Sequence, residues 1–220
     1  MSLPEPAAQK ASAPDWRSPP SLVLVAANLV PLYGVLALGW PVFPLVLLFW
    51  LENVIVGVLN ALRMLLVNPR DPASWAGKLF MVPFFCLHYG MFTFVHGVFV
   101  FALFGGDKQL RLEFDAQTAH HVLDAVIDSG VAPAAAALAA SHLFSFLWNY
   151  LWRGEYRRAS LSRLMTQPYG RIVVLHVGIL FGGFATMALG SPVWALLLLV
   201  ALKTGFDVRA HLKEHRRAAA

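Results

Sequence analysis

Long apolar runs, broken at near-regular intervals by turn residues, restrict this chain to one class of fold more than any other feature does. The runs fall at about 21–39, 42–66, 79–104, 132–152, 171–189 and 192–208. At a rise of 1.5 Å per residue, roughly 20 apolar residues are what a helix needs to cross a hydrocarbon core about 30 Å thick. Gly39-Trp40-Pro41, Asn68-Pro69-Arg70-Asp71-Pro72, Gly105-Gly106-Asp107 and Gly190-Ser191-Pro192 separate them. The joints at Trp40 and Ser191 are short enough to demand tight hairpins. Composition agrees, with 58% hydrophobic and 13% charged residues against roughly 45–50% and about 25% in an average globular chain.

The reading is an all-α integral membrane protein, a bundle of six transmembrane helices over 21–208. Residues 1–20, rich in Pro, Ala and Ser, read as a disordered tail, and 209–220 as a basic one. The first run is long for the apolar core of a signal peptide and no small-residue cleavage site follows it, so 21–38 is read as a span. Orientation follows from the cations, which concentrate in cytoplasmic loops. With both termini inside, 15 of the 17 Lys and Arg fall on the cytoplasmic side and only Lys108 and Arg111 outside. A count of five or seven spans spoils that split. The pI of about 9.7 therefore follows membrane topology rather than a nucleic-acid-binding face, and the cations are expected against anionic lipid headgroups.

The one long external loop, about 105–131, carries Ala119, Val122, Leu123, Val126 and Ile127 at helical spacing, with His120, His121, Asp124 and Asp128 opposite. This predicts an amphipathic helix on the outer surface, capped by Asp115 and ended by Gly130.

Inside the runs sit the residues that need explaining: Glu52, His88, His96, His142 and His176. A charged group at mid-membrane costs roughly 2.5–3.5 kcal/mol on insertion scales. If each span is centred on the midplane, His142 lies near zero and Glu52 about 3 Å outward. His88 then lies about 4–5 Å and His176 about 6 Å inward, with His96 about 7 Å outward. His88 and His96 are too far apart along one helix to share an ion, so a site using both is elongated or has two layers. The simplest single site takes His88, His142 and His176 as metal ligands, with Glu52 as a fourth ligand or as the general base on metal-bound water. His96, Asn53, Ser145 and Asn149 then stand behind it, orienting imidazoles or relaying protons. Zn, Fe or Cu suits such donors. P-loop, Rossmann, G-x-S-x-G and H-E-x-x-H motifs are absent.

Phe49-Trp50-Leu51-Glu52-Asn53, His88-Tyr89-Gly90 through His96-Gly97, and Ser141-His142 through Asn149 resemble a family of small polytopic bacterial membrane proteins known as a domain of unknown function. The likeness covers about 21–208 and implies a bacterial cytoplasmic (inner) membrane location, without a mechanism. Four functions compete. The first is a metalloenzyme, a hydrolase or oxidoreductase acting on a lipid-phase substrate. A b-type haem electron-transfer protein would use His88 and His176 as axial ligands. A proton- or metal-coupled carrier would use Glu52 and the histidines as a relay. A non-catalytic scaffold would use them to hold helices together.

Overall fold

The computed structural model describes residues 33–67, 72–105, 116–191, 193–194 and 196–205, and every structural statement below concerns those residues. They form helices and turns, with no strand among them. Pro41, held extended at φ −66° and ψ 144°, precedes α1, Val42–Leu66. A short helical stretch over 33–38 runs up to it. Gly39 turns the chain between them at φ +68°, a left-handed conformation open to glycine; the rest of the expected first span lies outside the described residues. The next helix, α2, is Pro72–Phe104, 33 residues long, so it begins well before the expected 79. Proline suits a helix start, where its missing N–H would be unbonded in any case.

The amphipathic helix of the long loop is present as α3, Ala116–Asp128, although Asp115 lies outside the described residues. Gly130, at φ +74°, ends it, and the chain bends by 112° into α4. That helix, Ala132–Ser145, continues as a π-helical turn over Phe146–Trp152. A 3₁₀ turn, Glu155–Arg157, leads to the short α5, Leu161–Thr166, and to α6, Tyr169–Leu189. A final apolar helix, α7, is Leu196–Gly205.

Three helical spans are long and apolar enough to cross a membrane: Val42–Leu66, Trp75–Phe104 and Leu161–Leu189. A fourth joins them if the bent pair Gln117–Asp128 and Ala132–Trp152 is one span. The expected count of six is therefore met only in part. Most of 21–39 lies outside the described residues, and 192–208 contributes the shorter α7. The fifth run is corrected more deeply. It was expected to open at 171, but the span opens at Leu161, whose side chain is buried together with that of Leu164.

The exterior is apolar as well as the interior, unlike that of a water-soluble protein. Leu79, Phe80, Leu87, Phe181 and Phe184 stand on the outside, Leu79 being 83% exposed. Asn53, Asn60, Thr93 and His96 are buried. A surface this apolar suits lipid and would drive aggregation in water.

Large side chains of α1 and α2 pack on glycines of the partner helix, beside an apolar groove of about 690 Å³ lined by Trp50, Gly57, Phe85, Tyr89 and Thr93 among others. Trp50 donates its indole N–H to the Thr93 carbonyl at 2.7 Å and lies over Gly97, where an added methyl would meet it at 2.7 Å. Tyr89 packs on Gly57 in the same way and donates its hydroxyl to the Asn53 carbonyl at 3.1 Å. Small residues that let large ones approach are the usual glue of membrane helices. Near the other end of α1, Asn60 Nδ2 donates to the Leu164 carbonyl and Lys78 Nζ to the Val67 carbonyl, at 2.8 and 2.9 Å. Tyr150 donates to the Arg63 carbonyl at 2.6 Å, tying the π-helical turn to α1.

Candidate functional site

Helix α6 carries the polar partners that organise the interior. With about 100° of turn per residue, Tyr169 and His176 fall within roughly 20° of each other, and Arg171 lies roughly 160° around the helix. The first two meet α2 and the third meets α1, so α6 is engaged from two sides.

On the α2 side the contacts are neutral. His88 Nδ1 and the Tyr169 hydroxyl share a hydrogen bond at 2.9 Å. Two turns further on, His96 Nε2 and His176 Nδ1 are 2.9 Å apart. Their roles follow from a third contact. His96 Nδ1 lies 2.5 Å from the Phe92 carbonyl, which only accepts, so Nδ1 carries the proton. Nε2 of a neutral His96 must then accept, and His176 donates from its own Nδ1. The His96 ring is 1% exposed and has both nitrogens satisfied.

On the α1 side the contacts are charged. Arg171 donates from its guanidinium to Glu52 Oε1, and His142 Nε2 of α4 stands 3.5 Å from the same oxygen. Glu52 is 14% exposed, His142 28% and Arg171 33%. Three helices thus converge on one carboxylate. Lys203 of α7 shares a small cavity with Glu52 and Arg171, its ammonium 5.9 Å from the centre of the Phe49 ring. An arginine remains charged at any pH a membrane protein meets, and in a low-dielectric interior it turns an unaffordable carboxylate into half of a pair.

The structure therefore divides the expected site. Glu52 and His142 are brought together, and so are His96 and His176. His88, His142 and His176 do not form one coordination sphere with Glu52, because each has a different neighbour. Among the described residues, no group of three His, Cys, Asp or Glu side chains is placed to hold a metal ion. Nor do the His96 and His176 nitrogens leave room for an ion between them. Tetrahedral ligands on zinc would stand about 3.3 Å apart, and the observed 2.9 Å fits a hydrogen bond. The axial haem pair, His88 and His176, would first have to leave Tyr169 and His96. The supporting residues also differ from expectation. Asn53 Nδ2 donates to the Phe49 carbonyl, and Asn149 Nδ2 to Ser145 Oγ, so these bonds stay within their own helices instead of orienting an imidazole.

The depth arithmetic failed because helices of different length share no midplane. The 33 residues of α2 span about 50 Å, far more than a hydrocarbon core, so its midpoint says little about His96. Arg171 was missed for a related reason. Gln167-Pro168-Tyr169-Gly170 reads as a loop, and the arginine after it was counted among the cations of the cytoplasmic face. The signal that could have found it was Glu52 itself, a carboxylate in an apolar run that required a cation.

No curated protein and no solved structure matches the chain. A sequence family does: over residues 10–220 the chain fits the model of DUF6498, a family of unknown function, and it belongs to that family.

Proposed function

We propose that this integral membrane protein works at the Glu52–Arg171–His142 cluster, as a carrier that couples gain and loss of a proton there to passage of a solute. One observation carries the reading: a carboxylate within a span is held by a permanent cation and also faces an imidazole, each from a different helix. Ionised Glu52 lies beside two cations, Arg171 and Lys203. One added proton, on either the imidazole or the carboxylate, raises the positive charge where dielectric screening is poor. The helix arrangement that suits the ionised carboxylate then suits the more positive cluster less, which biases a two-state equilibrium.

Infrared difference spectra of the protein in lipid, recorded between mildly alkaline and mildly acidic buffer, test this. A carboxyl or imidazole band that disappears in both Glu52→Gln and His142→Gln is expected. A spectrum unchanged by either substitution sinks the proposal.

The wider setting is part of the same reading: six spans, both termini on the cytoplasmic face of a bacterial inner membrane, and basic loops against anionic headgroups. Its support is the division of Lys and Arg, 14 to 2 once Arg171 is set aside as a partner of Glu52 within a span. Reporter fusions at each terminus and within 105–131 should report opposite sides of the membrane. The apolar exterior makes a solute that arrives through the lipid phase the natural choice.

A further inference from the structure

Beside Glu52 the helices leave a cavity of about 40 Å³, walled by Phe49, Glu52, Asn53, Arg171, Leu199 and Lys203 among others. Asn53, 6% exposed, contributes the feature that neither helix packing nor the ion cluster explains. Its Nδ2 donates to the Phe49 carbonyl at 2.8 Å. A carbonyl only accepts, which fixes the orientation of the amide. The other end, Oδ1, is buried with no hydrogen-bond partner in the protein. Buried amide oxygens are seldom left this way, and ordered water is the commonest remedy.

We infer that this cavity is a hydration site, in which two or three ordered waters bridge Asn53 Oδ1 to Glu52 within the membrane-spanning bundle. Size permits it: one water needs about 10–15 Å³ by this measure, so roughly three fit. Chemistry favours it too. A cavity lined by leucine and phenylalanine alone stays dry, whereas a resident water needs two to four polar partners. Here the amide oxygen and the carboxylate accept, and the guanidinium and ammonium groups donate.

The inference rests on the proton reading above and deepens it. Water, rather than His142 alone, becomes the immediate partner in exchange. A hydronium in the cavity gives its proton to a Glu52 oxygen and is left as neutral water, and the reverse step returns it. The charged and titratable groups facing that exchange are Arg171, Lys203 and His142.

X-ray radiolysis of the protein in lipid nanodiscs, read by mass spectrometry, tests for the waters directly, because bound water generates hydroxyl radicals that oxidise the side chains it touches. Phe49 and Leu199 should be oxidised several-fold faster than Phe181 and Phe184, which stand on the apolar exterior. Asn53→Leu should bring the first two down to the lipid-facing rate, and Asn53→Ser, smaller and still polar, should not. If Asn53→Leu fails to fold, the wild-type rates decide alone: Phe49 and Leu199 no faster than Phe181 overturns the inference. Strong oxidation at Phe49 together with no Glu52-dependent infrared band upholds the hydration site and overturns only the proton reading.

Discussion

The two sides of α6 solve the same problem at different cost. Toward α2, His88 meets Tyr169 and His96 meets His176 through neutral hydrogen bonds. Toward α1, Arg171 and His142 converge on an ionised Glu52. Neutral partners between membrane helices contribute about 0.6 kcal/mol on average, because the separated helices find other partners. A charge in the same place has no such alternative. The lesson is that four intramembrane histidines need not mean one site. Here the carboxylate lies against a cation and one imidazole, while two other histidines pair with each other.

The largest expected effect tests the charged side. Arg171→Ala leaves Glu52 buried without its cation and should destabilise the protein by roughly 3–5 kcal/mol, measured by unfolding in mild detergent. Adding Glu52→Gln should recover much of that loss. A double variant no better than Arg171→Ala would break the contrast.

Next comes the α1–α2 interface around Trp50 as a reference free of charge. Gly97→Ala forces Trp50 out of its seat and should cost about 1–3 kcal/mol, as a lower melting temperature. An indole that shifts freely, with no change in melting, would show that α1 and α2 are looser than their contacts imply.

The neutral side should respond least. A double-mutant cycle on His96→Ala and His176→Ala should give a coupling near 0.6 kcal/mol, and at most about 1.7. A coupling as large as that between Glu52 and Arg171 would erase the distinction between the two sides.

How much of this could be read from sequence depended on whether a feature is local. The turn at Gly39, the helix of the 105–131 loop and its end at Gly130 follow from turn chemistry and periodicity over a few residues, and all three are present. Glu52 was legible as an anomaly for the same reason. Arg171 was not, because its role depends on where Leu161 and Leu164 are buried, and that is decided by contacts distant along the chain, such as Asn60 with Leu164. His88, His142 and His176 could not be placed relative to one another for the same reason. Sequence spacing orders residues along one helix but leaves open the height at which two helices meet.

One consequence of the placement of α6 remains. Tyr169 and His176 grip one neighbour while Arg171 grips another from nearly the opposite flank. Any roll of this rod about its own axis would strip both sets of contacts in a single stroke. It is pinned like an axle between two bearings, so a shift of Arg171 carries His176 with it.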